Sequence, residues 1–138
     1  MEGFITQLAD AAANDSDKTF TVPTGAYYEV LGIYVTLVSS ADVGNRNMQV
    51  DFGDGTNVIW SVPVGDVQAA SLTRYYSFSV GAPDLTGERA TSYFMTPIPT
   101  MFLPAGYTIR VFDVAAVAAA ADDMTVRIMV RVYGKLPA

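Results

Sequence analysis

The chain has 138 residues, no cysteine and no histidine, and its 14 acidic and 8 basic residues leave a formal charge of −6. That length supports one domain with one substantial core, while the missing residue types rule out disulfides, thiolate or imidazole metal sites, and Ser-His or Cys-His nucleophiles. A mild acidity with no basic cluster argues against nucleic acid as a partner, and an apolar run no longer than the 8 residues of Val114–Ala121 is too short to cross a membrane as a helix.

Charged residues make up 16% of the chain, against about 25% in an ordinary domain. So sparse a charge implies that part of the surface is covered by another chain, because lasting interfaces are depleted in charge and rich in aromatic side chains.

The N-terminal stretch has no basic segment of the kind that opens a secretory signal. Phe4, Ile5 and Leu8, followed by Ala11 to Ala13, are spaced for one face of a helix. A short helix or arm is therefore expected over 1–17, lying on its own domain or on a neighbour and broken by Asn14-Asp15-Ser16-Asp17, with a β domain over 18–138.

From residue 18 a period of two takes over. A first strand is expected over Thr19–Val22, and Val22-Pro23-Thr24-Gly25 then makes a turn: proline presets the first central position and glycine takes the φ > 0 position. Tyr27–Ser39 follows, apolar on both faces, with Leu31, Ile33, Val35 and Leu37 on one side and Tyr28, Val30, Tyr34 and Val38 on the other. Such a strand is expected to be covered twice, by the opposite sheet and by the N-terminal segment or a neighbouring subunit.

Met48, Val50 and Phe52 alternate with polar residues in a shorter strand, and Val58–Val62 makes the next. Between them Asp51, Asp54 and Asn57 offer oxygen ligands that resemble half of a calcium loop. The twelfth position from Asp51 should carry a bidentate glutamate and holds Val62, so Gly53-Asp54-Gly55 reads first as a hairpin turn. Ser71–Val80 alternates again, interrupted by Arg74, and the stretch 81–100 carries Pro83, Pro97 and Pro99 and reads as a crossing connection or contact loop with a weak strand near Tyr93–Met95. Leu103-Pro104-Ala105-Gly106 repeats the earlier turn and opens Tyr107–Phe112.

Ala115–Ala121, interrupted only by Val117, has helix propensity but is too short to be a stable helix alone. It reads as a compact crossover, with room for one helical turn, closed by Asp122 and Asp123. In the last strand Met124, Val126, Ile128, Val130 and Val132 form a core face, while Arg127 and Arg131 stand outward as surface charge or as pairing groups for an acidic partner. About eight strands with two matching turn units fit an antiparallel β-sandwich of the jelly-roll type.

Glu29, Asp51, Asp54, Asp113, Asp122 and Asp123 could in principle supply a glycosidase pair, but no spacing sets two of them across a substrate. No catalysis, metal or cofactor is expected. Trp60 and eight tyrosines keep a sugar-binding module open as an alternative.

The segments VPTGAYYEVLGIYVTLVSSADVGNR, SLTRYYSFSVG and FLPAGYTIRVFDVAAVAAAADDMTVRIMV, spread over Val22 to Gly134, resemble in order a type of small virion structural protein of tailed bacteriophages. The resemblance implies a jelly-roll decoration or cement subunit on the outer surface of the phage head, bound to the major capsid protein and to its own copies, commonly as a homotrimer. A neck, tail, fibre or spike component is the alternative. The contact residues expected are Phe4, Ile5, Leu8, Tyr28, Tyr34, Tyr93, Phe94, Arg127 and Arg131.

Overall fold

The computed structural model describes residues 3–14, 18–83, 93–118 and 120–134. Ten strands follow one another: β1 (Phe4–Asn14), β2 (Lys18–Thr21), β3 (Tyr27–Val38), β4 (Met48–Gly53), β5 (Val58–Pro63), β6 (Thr73–Val80), β7 (Tyr93–Ile98), β8 (Phe102–Pro104), β9 (Thr108–Asp113) and β10 (Asp123–Tyr133). A larger sheet runs β1-β10-β3-β6-β7, with β8 beside the start of β3, and a smaller one runs β2-β9-β4-β5.

Setting β7 and β8 aside leaves eight antiparallel strands, β1-β10-β3-β6 over β2-β9-β4-β5. Every sequential pair among these crosses between sheets except the β4–β5 hairpin, and this is the jelly-roll order. The two proline-glycine turns singled out above lie side by side: Val22 N donates to Tyr107 O at 2.9 Å and Gly106 N donates to Val22 O at 2.9 Å.

The core follows from the period of two. Val30, Val35 and Leu37 of β3 and Val126, Ile128 and Val130 of β10 face Val50 and Phe52 of β4 and Ile109 and Val111 of β9, all fully buried. Each such side chain stabilises the fold by about 1.5–3 kcal/mol relative to remaining exposed.

The helix expected over the N-terminal residues is instead the edge strand β1, paired with β10 from Phe4↔Val132 to Asp10↔Val126. Phe4 and Leu8, four positions apart, share a strand face as readily as a helical one, Ile5 falls on the opposite face, and β10 offers an open row of backbone groups. The break expected at residues 15–17 lies outside the described residues.

The two-faced look of β3 has a different cause from double coverage. Val130 pairs with Val30 and Met129 with Gly32, so Leu31 is an extra residue in a β-bulge. The bulge shifts the phase: Tyr28 and Val30 point inward before it, Ile33, Val35 and Leu37 after it. Tyr34 and Val38 then face outward, 38% and 40% exposed.

Within 81–100, β7 pairs parallel to β6 from Tyr75↔Tyr93 to Val80↔Ile98; residues 84–92 lie outside the described ones. The alanine stretch forms turns and, among its described residues, no helix. Ala121 N and Asp122 N both donate to Ala118 O, at 2.9 and 2.8 Å.

Candidate functional site

Three loops gather at one end of the sandwich, 39–47, 64–72 and 114–122, and a buried polar cluster joins them. Arg46 and Asp122 are both fully buried, with Nε to Oδ2 at 2.8 Å and Nη2 to Oδ1 at 2.9 Å. This two-pronged pairing is the strong form of a carboxylate–guanidinium contact. The Arg46 Nη1 group donates to the carbonyls of Asp42 at 2.9 Å and Gly44 at 2.8 Å, and Ser40 N donates to Asp122 Oδ1 at 2.8 Å. Burial works to raise the Asp122 pKa, but the hydrogen bonds from Arg46 and Ser40 outweigh it and hold the carboxyl below its usual range.

Gln68, also buried, exchanges backbone hydrogen bonds with Arg46 and donates from Nε2 to the carbonyls of Leu37 at 2.9 Å and Leu72 at 3.0 Å. Tyr76 donates to Gln68 Oε1 at 2.7 Å. Burial first of all raises the Tyr76 phenol far above its usual value, so it stays a neutral donor. Asp113 accepts from the backbone of Asn47 and Ala115, at 2.8 and 3.0 Å. Every loop here is therefore tied to at least one other through a buried side chain.

The cluster does not line a cleft. Its effect is to present what lies outside it: Val43 is 94% exposed between the two carbonyls that Arg46 holds, with Val67 and Val114 exposed on the other two loops.

The outer face of the larger sheet is the second feature. Tyr34, Tyr75 and Tyr93 stack across β3, β6 and β7, with ring centroids 6.2 and 4.9 Å apart. Beside them Gly32 leaves a gap in the row of side chains, forming a hollow of about 350 Å³ walled by Tyr34, Met129, Ser77, Ser79, Gln7 and Arg127. A Cβ on Gly32 would sit 3.5 Å from Phe78 O, an ordinary contact, so a side chain could start there without a clash. Burial above all, then the neighbouring Tyr93 and Tyr75, raises the Tyr34 phenol above its usual value, against a lowering effect of Arg127. Further along, Tyr133 donates to Glu29 Oε1 at 3.1 Å, and Arg131 Nε lies 3.4 Å from the same oxygen without donating a hydrogen bond to it.

The residues expected to make contacts separate on this face. Ile5, Tyr34, Arg127 and Arg131 lie on it, joined by Tyr93 at the edge of the tyrosine row. Phe4 and Leu8 turn the other way: Phe4 is half exposed at the sandwich edge and Leu8 packs against the core. Tyr28 and Phe94 are corrected, being core residues 8% and 5% exposed, with Phe94 stacked on Tyr76 at 5.1 Å. Residue type cannot separate a core aromatic from a surface one when the strand phase is shifted by a bulge, as for Tyr28, or the strand is parallel and weakly patterned, as for Phe94.

On the smaller sheet the Asp54–Asn57 segment is a closed hairpin turn. Asp54 N donates to Asn57 O at 3.0 Å, while Thr56 N and Asn57 N donate to Asp54 Oδ1 at 2.8 and 2.7 Å. Those two backbone donors hold the Asp54 carboxyl below its usual range. A hollow of about 170 Å³ beside it is lined by residues that include Asp51, Thr56, Asn57, Val58, Thr108 and Arg110. Among the described residues no three acidic, histidine or cysteine side chains gather into a metal site.

No protein-family model and no curated protein matches the chain. Among solved structures, a chain of turnip yellow mosaic virus is similar with a TM-score of 0.40 and 7% identity, over 99% of this chain and 82% of that one. Cocksfoot mottle virus gives 0.34 and 10% over 98% and 97%, and an exo-beta-agarase gives 0.39 and 12% over 95% of this chain and 20% of that one. Likeness at this level assigns no function.

Proposed function

We propose that the chain is a non-enzymatic structural subunit of a virion, a decoration or cement protein of a tailed-phage head that binds the major capsid shell and its own copies. One observation carries this reading: the outer face of the larger sheet is apolar and aromatic where a solitary domain would be charged. Ile5, Tyr27, Tyr34, Tyr93 and Met129 on that face are each between 38% and 52% exposed, and only a few charged groups interrupt them. Such a face is stabilised when another chain covers it, and a standard interface of about 800 Å² per partner would do so. Repeated over a symmetric shell, the contacts strengthen one another by mass action. The homotrimer implied by the sequence resemblance belongs to the same reading.

The test is co-sedimentation with phage heads stripped of decoration. The triple variant Ile5→Asp, Tyr34→Asp, Met129→Asp should keep its melting temperature within a few degrees and lose head binding. Undiminished binding by the folded variant would remove this face from the interface. Deleting β1 is a poorer test, since it would expose the β10 edge and the core beneath.

A second reading, a glycan-binding module of a fibre or spike, is favoured by Trp60, 52% exposed on the edge strand β5. Binding on a glycan array that disappears in Trp60→Ala would select it.

A further inference from the structure

The Val43 tip and the Gly32 hollow fit one another. The tip at Val43 is an apolar knob with an exposed carboxylate beside it, Asp42. The Gly32 hollow is an apolar socket of about 350 Å³ with a cation at its rim, Arg127. Among the described residues Arg127 has no ion-pair partner of its own. Arg131 on the same strand, by contrast, lies against Glu29.

We propose that the Val43 tip of one copy of this chain seats in the Gly32 hollow of a second copy, with Asp42 pairing to Arg127 across the contact. This rests on the proposed function, in that it names the surface through which copies meet.

Three observations carry it. The knob is built in advance: Arg46 is buried and grips the carbonyls of Asp42 and Gly44, at 2.9 and 2.8 Å, on either side of Val43. Gly44 in turn lies against Val117, where a Cβ would come within 2.9 Å of Cγ1. A loop pinned this firmly forfeits little freedom on docking. The socket is the gap left by the absent side chain of Gly32, walled by Tyr34 and Met129.

The third observation is charge. The rim of the hollow contributes Arg127, and the loop brings Asp42, so the contact is electrostatically complementary and its register is fixed. A membrane surface does not suit the knob, since among the described residues the exposed charges of loops 39–47 and 64–72 and of the start of β10 are Asp42, Asp66 and Asp123.

The knob cannot reach its own socket. Gly32 and Val38 lie on one extended strand, about 20 Å apart, and the loop leaves from the far end of it. Knob and socket are different surfaces of the molecule, so the contact is head-to-side and propagates from copy to copy until symmetry closes it into a ring or a shell patch.

Sedimentation velocity at low salt, from micromolar to millimolar protein, tests the contact. The wild type should associate as concentration rises, and the amide resonances of Gly32 and Val43 should move together in NMR spectra over the same range. Val43→Asp and Gly32→Leu should each remove association while leaving the melting temperature near that of the wild type. Asp42→Arg and Arg127→Asp should each weaken it by about tenfold, and the two together should restore it to within about threefold of wild type. A wild type that stays monomeric at millimolar concentration overturns the contact, as does association that survives Val43→Asp and Gly32→Leu. A double charge exchange no better than its singles overturns the pairing.

Binding of the wild type to stripped phage heads reads the proposed function separately. Head binding by a protein that never self-associates overturns the contact and leaves the head-binding role standing. Self-association through Val43 and Gly32 without head binding supports the contact and overturns the function.

Discussion

The two ends of the sandwich are held together by opposite means. At one, loops 39–47, 64–72 and 114–122 meet through long buried polar side chains, Arg46, Gln68, Tyr76 and Asp122. At the other, turns meet through side chains that are missing: a Cβ on Gly55 would lie 2.9 Å from Gly106 O, and one on Gly134 would lie 2.8 Å from Gly25 O. The first end spends buried charge to fix its loops, and the second relies on close backbone approach at positive φ. Fixing loops through buried charge allows large, exposed tips such as Val43; tight glycine turns allow none.

The largest effect is expected at Arg46. Arg46→Ala leaves Asp122 as an uncompensated buried carboxylate and should cost about 3–5 kcal/mol, read by urea denaturation. Replacing the pair together, Arg46→Met with Asp122→Leu, should recover much of that loss while freeing the carbonyls of Asp42 and Gly44, so stability and loop order would part company. Faster amide exchange at residues 42–44 in a stable double variant is the expected signature.

At the opposite end Gly55→Ala should cost about 2 kcal/mol, because φ is +95° and the new methyl meets a backbone oxygen. Gly106→Ala, with φ of +87° and nothing within 4 Å, should cost about 1 kcal/mol from strain alone. Equal losses at the two positions would mean that close approach is not what holds this end.

Tyr76→Phe removes one donor to Gln68 and should cost about 1 kcal/mol, measured by the shift in melting temperature. The smallest effect is on acid stability. Asp122 has a folded pKa below its ordinary value, so its contribution is present above about pH 4 and is lost as pH falls through the folded value. The Arg46→Met, Asp122→Leu protein should therefore show a shallower fall in melting temperature over that acid range.

Much of the sandwich was legible because strands announce themselves by alternation and these turns by proline and glycine: β4, β6, β9 and β10 lie where the pattern put them, and the two matching turns are neighbours in space. A one-residue bulge at Leu31 was not legible, since it resets the phase without changing composition, and it misled the reading of Tyr28. β1 reads as a helix or arm because Phe4 and Leu8 fit both periods and Ile5 fits only the helical one, and the free side of β10 decides between them.

The loop cluster was harder still. Arg46 and Asp122 are 76 positions apart, and nothing local distinguishes them from the solvated charges around them. Asp122 reads from the sequence as one of several scattered carboxylates at the close of the alanine stretch and Arg46 as the end of one segment of the resemblance, and the fold joins them in one buried pair. Buried Gln68, on a loop, carries no sequence signal at all.

The position of β10 sets the order in which the molecule can assemble. It lies between β1 and β3, with Phe4 opposite Val132 and Tyr27 opposite Tyr133, so β1 has no partner in its sheet until β10 is made. Until then both β1 and the near side of β3 expose bare edges on the ribosome. Such a topology closes slowly, in about milliseconds to seconds, and leaves an interval in which a nascent chain could pair with the wrong copy.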